Sequence, residues 1–122
     1  MEADVRRVAD RLRGLSQARL SAPVPGHPSR AAAGRALAAR LARAAQGVEA
    51  CGDPAEPTWR DLPELSDFAV GDQVAVTGND LFRSLAGLPA GTSVWAPPGR
   101  RVSVGRLLSE LGDALEGVRQ LL

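Results

Sequence analysis

The sequence predicts an α+β fold in which an N-terminal helical pair and a heptad-patterned C-terminal helix pack with a small β unit of two to three strands. Two observations indicate the helices: apolar residues recur at spacings of three and four, and prolines interrupt these stretches at defined points. A third indicates the strands, because valines alternate with other residues near the middle of the chain. A chain of 122 residues fits one domain, over 1–122.

The helical pair is predicted over residues 2–51. Its first helix, over 2–20, must end before SAPVPGHPS, where three prolines favour extended backbone. Ser29 is a candidate N-cap for the second helix, over 30–51, whose core face is shallow and rich in alanine. The apolar stripes consist of Val5, Val8, Leu12 and Leu15 in the first helix, and of Leu37, Leu41, Ala44 or Ala45, and Val48 in the second.

Residues 52–67, GDPAEPTWRDLPELSD, form an acidic and proline-rich connection. Because long structureless loops are uncommon in compact domains, we expect part of this segment to pack down. Trp59 within it is either a plug that fixes the loop or a contact for a partner, and the tendency of large rings to be buried favours the plug.

Residues 68–104 are predicted to form a β-α-β unit. In VGDQVAVT, the Gly-Asp pair is typical of a turn, and Val74 and Val76 then alternate as in a half-buried strand. NDLFRSLAG predicts a short helix with Asn79 or Asp80 as its cap and Gly87 as its terminator. TSVWAP fits a second strand and RRVSV a third, and the pattern leaves their direction open.

The junction at residues 77–80 raises the question of a ligand site. Phosphate binding at a helix N-terminus uses free N–H groups, several glycines and usually a cation. This stretch has one glycine and no Lys, and Asp80 would repel a phosphate. The pattern favours a structural turn. A small-molecule-responsive regulator stays as an alternative, with the ligand turn formed by Thr77, Gly78, Asn79 and Asp80.

The C-terminal helix, over 104–122, is the clearest prediction and supplies the candidate interface. Its apolar residues repeat at spacings of four, three, four, three and four, and Ser103 can cap its start. So broad a stripe must meet the first two helices, a second subunit, or both. The predicted homodimer interface consists of Leu108, Leu111, Leu115, Val118 and Leu122, with Trp59 and Trp95 as further contacts.

The amino-acid composition indicates the type of genome and the cellular compartment more directly than it indicates a function. All 15 basic residues are Arg, which is typical of a GC-rich bacterial genome. An excess of Arg in this chain is therefore weak evidence for a function. The net charge of +1 is unevenly spread: residues 1–50 carry +5, residues 51–82 carry −6 and the remainder +2. Such blocks can pair within the chain or between copies. The absence of a signal-peptide core and of a long apolar run predicts a cytoplasmic protein without a membrane segment.

The residue types that carry catalysis do not form a recognisable set. His27 stands alone in the proline linker, Cys51 has no activating neighbour, and the acids of residues 53–72 are too irregular for a calcium loop. We therefore predict a non-enzyme without cofactor or metal. Its predicted role is a small interaction module that forms a homodimer and can also bind a different protein.

Nucleic-acid binding is the main alternative to the interaction module. Arg35, Arg40 and Arg43 share one face of the second helix and could contact phosphates. No aromatic residue interleaves with them for base stacking, and the net charge is small. The sequence therefore makes nucleic acid an unlikely partner.

Overall fold

The computed structural model describes residues 1–122 and confirms the α+β fold, with five α-helices and one two-stranded antiparallel sheet. A 3₁₀ turn at Asp67–Ala69 leads directly into the fourth helix. The helices are α1 (Glu2–Arg13), α2 (Gln17–Ser21), α3 (Arg30–Glu49), α4 (Val70–Leu85) and α5 (Val104–Leu121), and the strands are β1 (Ser93–Ala96) and β2 (Arg100–Ser103). None of the helices combines the length and the apolar character needed to cross a membrane.

The first predicted helix is wrong in its extent, because it is divided into α1 and α2. α1 ends at Gly14, and the hydroxyl of Ser16 accepts a hydrogen bond from the backbone N–H of Arg19 to start α2. The predicted stripe is nevertheless buried up to and within the break, since Leu12 of α1 and Leu15 of the connection both join the core. The Ser16 N-cap therefore starts a new helix within the apolar repeat, after the C-cap of α1 at Gly14.

α3 is the central helix and begins where the sequence predicts. The Ser29 hydroxyl accepts a hydrogen bond from the N–H of Ala32 at 3.0 Å, which confirms the N-cap. α3 packs against α4, α5 and β1, and the leucines of its stripe, Leu37 and Leu41, are fully buried. Its alanines and glycines let these neighbours approach closely on several sides.

The strand and the turn predicted within residues 71–80 are wrong, because α4 runs through them without interruption. Its buried residues are Val70, Gly71, Val74, Thr77, Gly78 and Leu81, which recur with helical period. Gly78 lies against α1: a Cβ there would be 2.6 Å from Cγ1 of Val5. Gly71 serves the same contact, because its Cβ would be 2.8 Å from the carbonyl oxygen of Ala9. Both glycines are close-packing positions within a helix.

The β unit is a hairpin, and its two strands confirm the predictions for TSVWAP and RRVSV. The pairing is antiparallel, with Val94 opposite Val102 and Trp95 opposite Arg101. The valines face the core, while Trp95 and Arg101 form the outer side. Gly99, at φ +58°, supplies the left-handed backbone of the turn.

The oppositely charged blocks of the sequence pair within the chain. Three ion pairs join the basic N-terminal helices to the acidic middle: Arg13 with Asp72 at 2.7 Å, Arg35 with Asp67 at 2.6 Å, and Arg43 with Asp61 at 3.2 Å. The charge asymmetry therefore supports the packing of α1 and α3 on the segment that follows them.

Candidate functional site: an arginine cleft and an outer apolar face

The stripe of α5 that the sequence assigns to a homodimer interface lies mostly in the chain's own core. Leu111, Leu115 and Val118 are buried against the other helices. Only Leu108 and Leu122, at the edges of the stripe, are partly exposed. The prediction is wrong for the three buried residues, because α3 and α1 already cover the face they form.

The last turn of α5 is held by arginines of the N-terminal helices. Arg11 donates to the carbonyl oxygen of Leu122 at 2.6 Å, and Arg30 donates to that of Leu121 at 2.8 Å. Guanidinium groups at a helix C-terminus satisfy free carbonyls and complement the helix dipole. The C-terminal turn of α5 is therefore held by side chains of α1 and α3.

The two tryptophans fasten the acidic connection. The Trp59 ring packs over α3, where its Cη2 would lie 3.3 Å from a Cβ at Gly47, and its indole Nε1 is buried without a hydrogen-bond partner. Trp95 donates from Nε1 to the carbonyl oxygen of Asp53 at 3.1 Å, and the Arg101 guanidinium lies 4.1 Å from its ring centroid. Both rings are partly buried and act as plugs.

The predicted ligand turn of Thr77, Gly78, Asn79 and Asp80 does not exist as a turn. All four residues lie inside α4, where backbone N–H groups are used within the helix. The Thr77 hydroxyl donates to the carbonyl oxygen of Gln73 at 2.7 Å. The phosphate-binding geometry of a helix start is absent at these positions.

The three arginines predicted as nucleic-acid contacts differ in their surroundings. Arg35 is bound to Asp67 and to the carbonyl oxygen of Leu65, and its hydrogen bond holds the pKa of Asp67 below the ordinary value. Arg43 pairs with Asp61. Arg40 alone has no hydrogen bond or ion pair within the chain. The trio therefore does not form a free basic strip.

Arg40 and Arg43 instead line a cleft together with the hairpin and α5, here called the arginine cleft. Arg100 of β2 and Glu110 of α5 complete its charged rim, and its apolar lining includes Ala44, Leu107 and Leu111. Arg100 lies 3.5 Å from Glu110, which also accepts a hydrogen bond from Arg106 at 3.2 Å. The bond from Arg106 and the charge of Arg100 hold the pKa of Glu110 below its ordinary value.

A second feature is the outer apolar face, defined by Phe68 and Val76. Both are among the four large hydrophobic residues that the chain exposes, and they are 61% and 59% exposed. Phe68, Asp72 and Val76 follow one another at intervals of four along the 3₁₀ turn and α4, and all three are exposed. Side chains at this spacing lie along one side of a helix.

The sequence reasoning missed both features. Arg100 was assigned only to the third predicted strand, RRVSV, and Glu110 was not singled out, because nothing local places them beside α3. Val76 carried a usable signal: on a helix it points away from Val70, Val74 and Leu81, which marks it as exposed. No three His, Cys, Asp or Glu side chains lie together in a way that could hold a metal ion.

Comparisons with protein-family models, with curated proteins and with solved structures gave no significant match.

Proposed function

We propose that the protein is a small non-catalytic interaction module that forms a homodimer through the outer apolar face. The observation that carries this proposal is the exposure of Phe68 and Val76, at 61% and 59%, on one side of the same segment. Covering apolar side chains with a partner is favourable because it removes apolar surface from water. Exposed apolar clusters therefore mark interaction sites. The interface moves from α5, where the sequence put it, to α4.

A two-fold arrangement of α4 gives this face a matching partner. In an antiparallel pair centred on Val76, the residues eight positions away on either side, Phe68 and Ser84, come opposite each other. Phe68 would then lie over the last turn of the second copy's α4, at Ser84. The pairing is isologous, as a closed dimer requires, and it also sets Asp72 opposite Asp80, so the apolar contact is confined to Phe68 and Val76.

Sedimentation-velocity ultracentrifugation tests this proposal. We expect a dimer for the wild type and a monomer for Val76→Arg, with an unchanged circular dichroism spectrum because Val76 is an exposed side chain. Ser109→Arg is the matched control: it adds the same charge at an exposed position of α5 and should leave the dimer intact. A wild type that is monomeric at the highest accessible concentration would rule out self-association.

A further inference from the structure

The arginine cleft brings guanidinium groups from distant parts of the chain together over an apolar floor. Arg40 and Arg43 lie one turn apart on α3, and Arg100 comes from the start of β2. The cleft has a volume of about 230 Å³. Pockets for drug-sized ligands measure roughly 300–1,000 Å³. This cleft therefore suits a smaller molecule.

Arg40 is free to take a partner, and Arg43 and Arg100 can exchange their present ion pairs for a new one. Arg40 has no partner within the chain. Arg43 pairs with Asp61, but that carboxylate is 88% exposed, and Arg100 is 3.5 Å from Glu110. Exposed ion pairs are weak and compete poorly with a better-placed anion. Binding an anion here breaks no buried interaction.

The local charge favours a dianion. The positive groups in and beside the cleft are the guanidinium groups of Arg40, Arg43, Arg100 and Arg106. Only two carboxylates, those of Asp61 and Glu110, pair with them, so two positive charges remain in excess. A phosphate monoester carries close to two negative charges at neutral pH, which matches this excess. Guanidinium groups also present paired N–H donors that fit phosphate oxygens.

We propose that the arginine cleft binds the phosphate group of a small organic phosphate monoester. Arg40 and Arg100 donate to the phosphate oxygens from α3 and from the hairpin. Arg43 adds a third set of donors when it leaves Asp61. The carbon portion of the ligand lies on the apolar floor, which includes Leu107. This site shares no residue with the outer apolar face, so the result for the homodimer does not decide it.

An NMR titration at constant ionic strength tests the site, with inorganic phosphate and methyl phosphate as probes and acetate as the monoanionic control. We expect saturable shifts confined to residues 40–44 and 95–111, the elements that line the cleft. Methyl phosphate should bind about tenfold more tightly than acetate, because a second charge and a third oxygen engage additional guanidinium donors.

Single substitutions assign the binding to named side chains. Arg40→Gln and Arg100→Gln should each weaken methyl phosphate binding by about tenfold, the effect of one charge-assisted hydrogen bond. Asp61→Asn should strengthen binding several-fold, because it frees Arg43. The matched control is Arg83→Gln, which removes an exposed arginine of α4 outside the cleft and should leave the affinity unchanged.

Four results would overturn the proposal. Shifts that do not saturate, or an equal loss of affinity in Arg83→Gln, would mean that the anion responds only to the general charge of the surface. Acetate binding as tight as methyl phosphate would exclude a phosphate-selective site. Binding of a single-stranded oligonucleotide without binding of methyl phosphate would assign the cleft to nucleic acid.

Discussion

Replacing Gly47 by Ala tests the contact that sets the hairpin beside α3. Gly47 lies inside α3, and a Cβ at this position would be 1.9 Å from the backbone oxygen of Trp95 and 3.3 Å from Cη2 of Trp59. An ordinary carbon–oxygen contact measures about 3.3 Å. The hairpin must therefore retreat from α3 by about 1.4 Å, and it carries Arg100 of the arginine cleft with it.

Two opposing effects set the size of the change in stability. Forcing an extra methyl group into a packed contact costs about 1–3 kcal/mol, and more where backbone has to move. Alanine in place of glycine within a helix returns about 0.5–1 kcal/mol. We expect Gly47→Ala to lower the free energy of unfolding by about 1–2 kcal/mol, because the clash is with backbone and cannot be relieved by a rotamer change.

Gly117→Ala in α5 is the matched control, since a Cβ there meets no atom within 4 Å. It should raise the free energy of unfolding by about 0.5 kcal/mol, so that the two glycine substitutions have opposite signs. Urea denaturation followed by far-UV circular dichroism measures both, and tryptophan fluorescence reports the local change at Trp59 and Trp95. A Gly47→Ala variant as stable as Gly117→Ala would refute the close approach of α3 and β1.

Three further predictions concern other parts of the fold. Gly78→Ala should destabilise the protein by about 1–2 kcal/mol, and adding Val5→Ala should recover part of this loss in a double-mutant cycle, because Val5 is the group it meets. Asp67→Asn should be less stable than the wild type at neutral pH. The hydrogen bond from Arg35 lowers the folded-state pKa of Asp67. The difference in stability between the two proteins is therefore fully present above the ordinary aspartate pKa of about 3.9 and disappears as the pH falls through the lower folded value. Measuring the free energy of unfolding of both proteins over the acid range tests this. Leu115→Asp should unfold the protein and abolish its helical circular dichroism signal, since that side chain is buried within one chain. A variant that is folded but monomeric would instead indicate that Leu115 belongs to a subunit interface.

The elements that the sequence predicted correctly carry their signals locally. α5 has a long apolar repeat and a serine at its start, and Ser103 accepts a hydrogen bond from the N–H of Arg106 at 3.1 Å. α3 begins at Ser29 for the same reason. Both boundaries depend on one side chain and three neighbouring residues, which is information that any single sequence contains.

The sequence predicted a strand and a turn in place of α4 because its glycines are required by packing against another helix and not by a turn. Gly71 and Gly78 lie seven residues apart on the side that meets α1, and both would clash with that helix if they carried a side chain. Without α1 in view, a glycine followed by Asn or Asp is typical of a turn. The valine alternation at 74 and 76 strengthened the error, although the longer repeat of Val70, Val74 and Leu81 is helical.

The arginine cleft depends on placement that no local pattern provides. Arg40 and Arg43 were visible as neighbours on a predicted helix, but their position beside Arg100 results from the approach of the hairpin at Gly47. That approach is possible only because Gly47 has no side chain. Gly47, which has no side chain, therefore determines whether Arg100 comes close to Arg40 and Arg43.

The acidic connection can give up Arg43 to a ligand without coming loose from α3. Asp61 is only one of its attachments: the Gln46 side-chain amide accepts from the backbone N–H of Arg60 at 2.8 Å and donates to the carbonyl oxygen of the same residue at 3.2 Å. Trp59 packs on α3 next to them. Because these contacts do not involve Arg43, the exchange of Asp61 for a phosphate changes a single exposed ion pair. Occupation of the cleft is then opposed by two carboxylates of the chain, because Asp61 competes for Arg43 and Glu110 competes for Arg100.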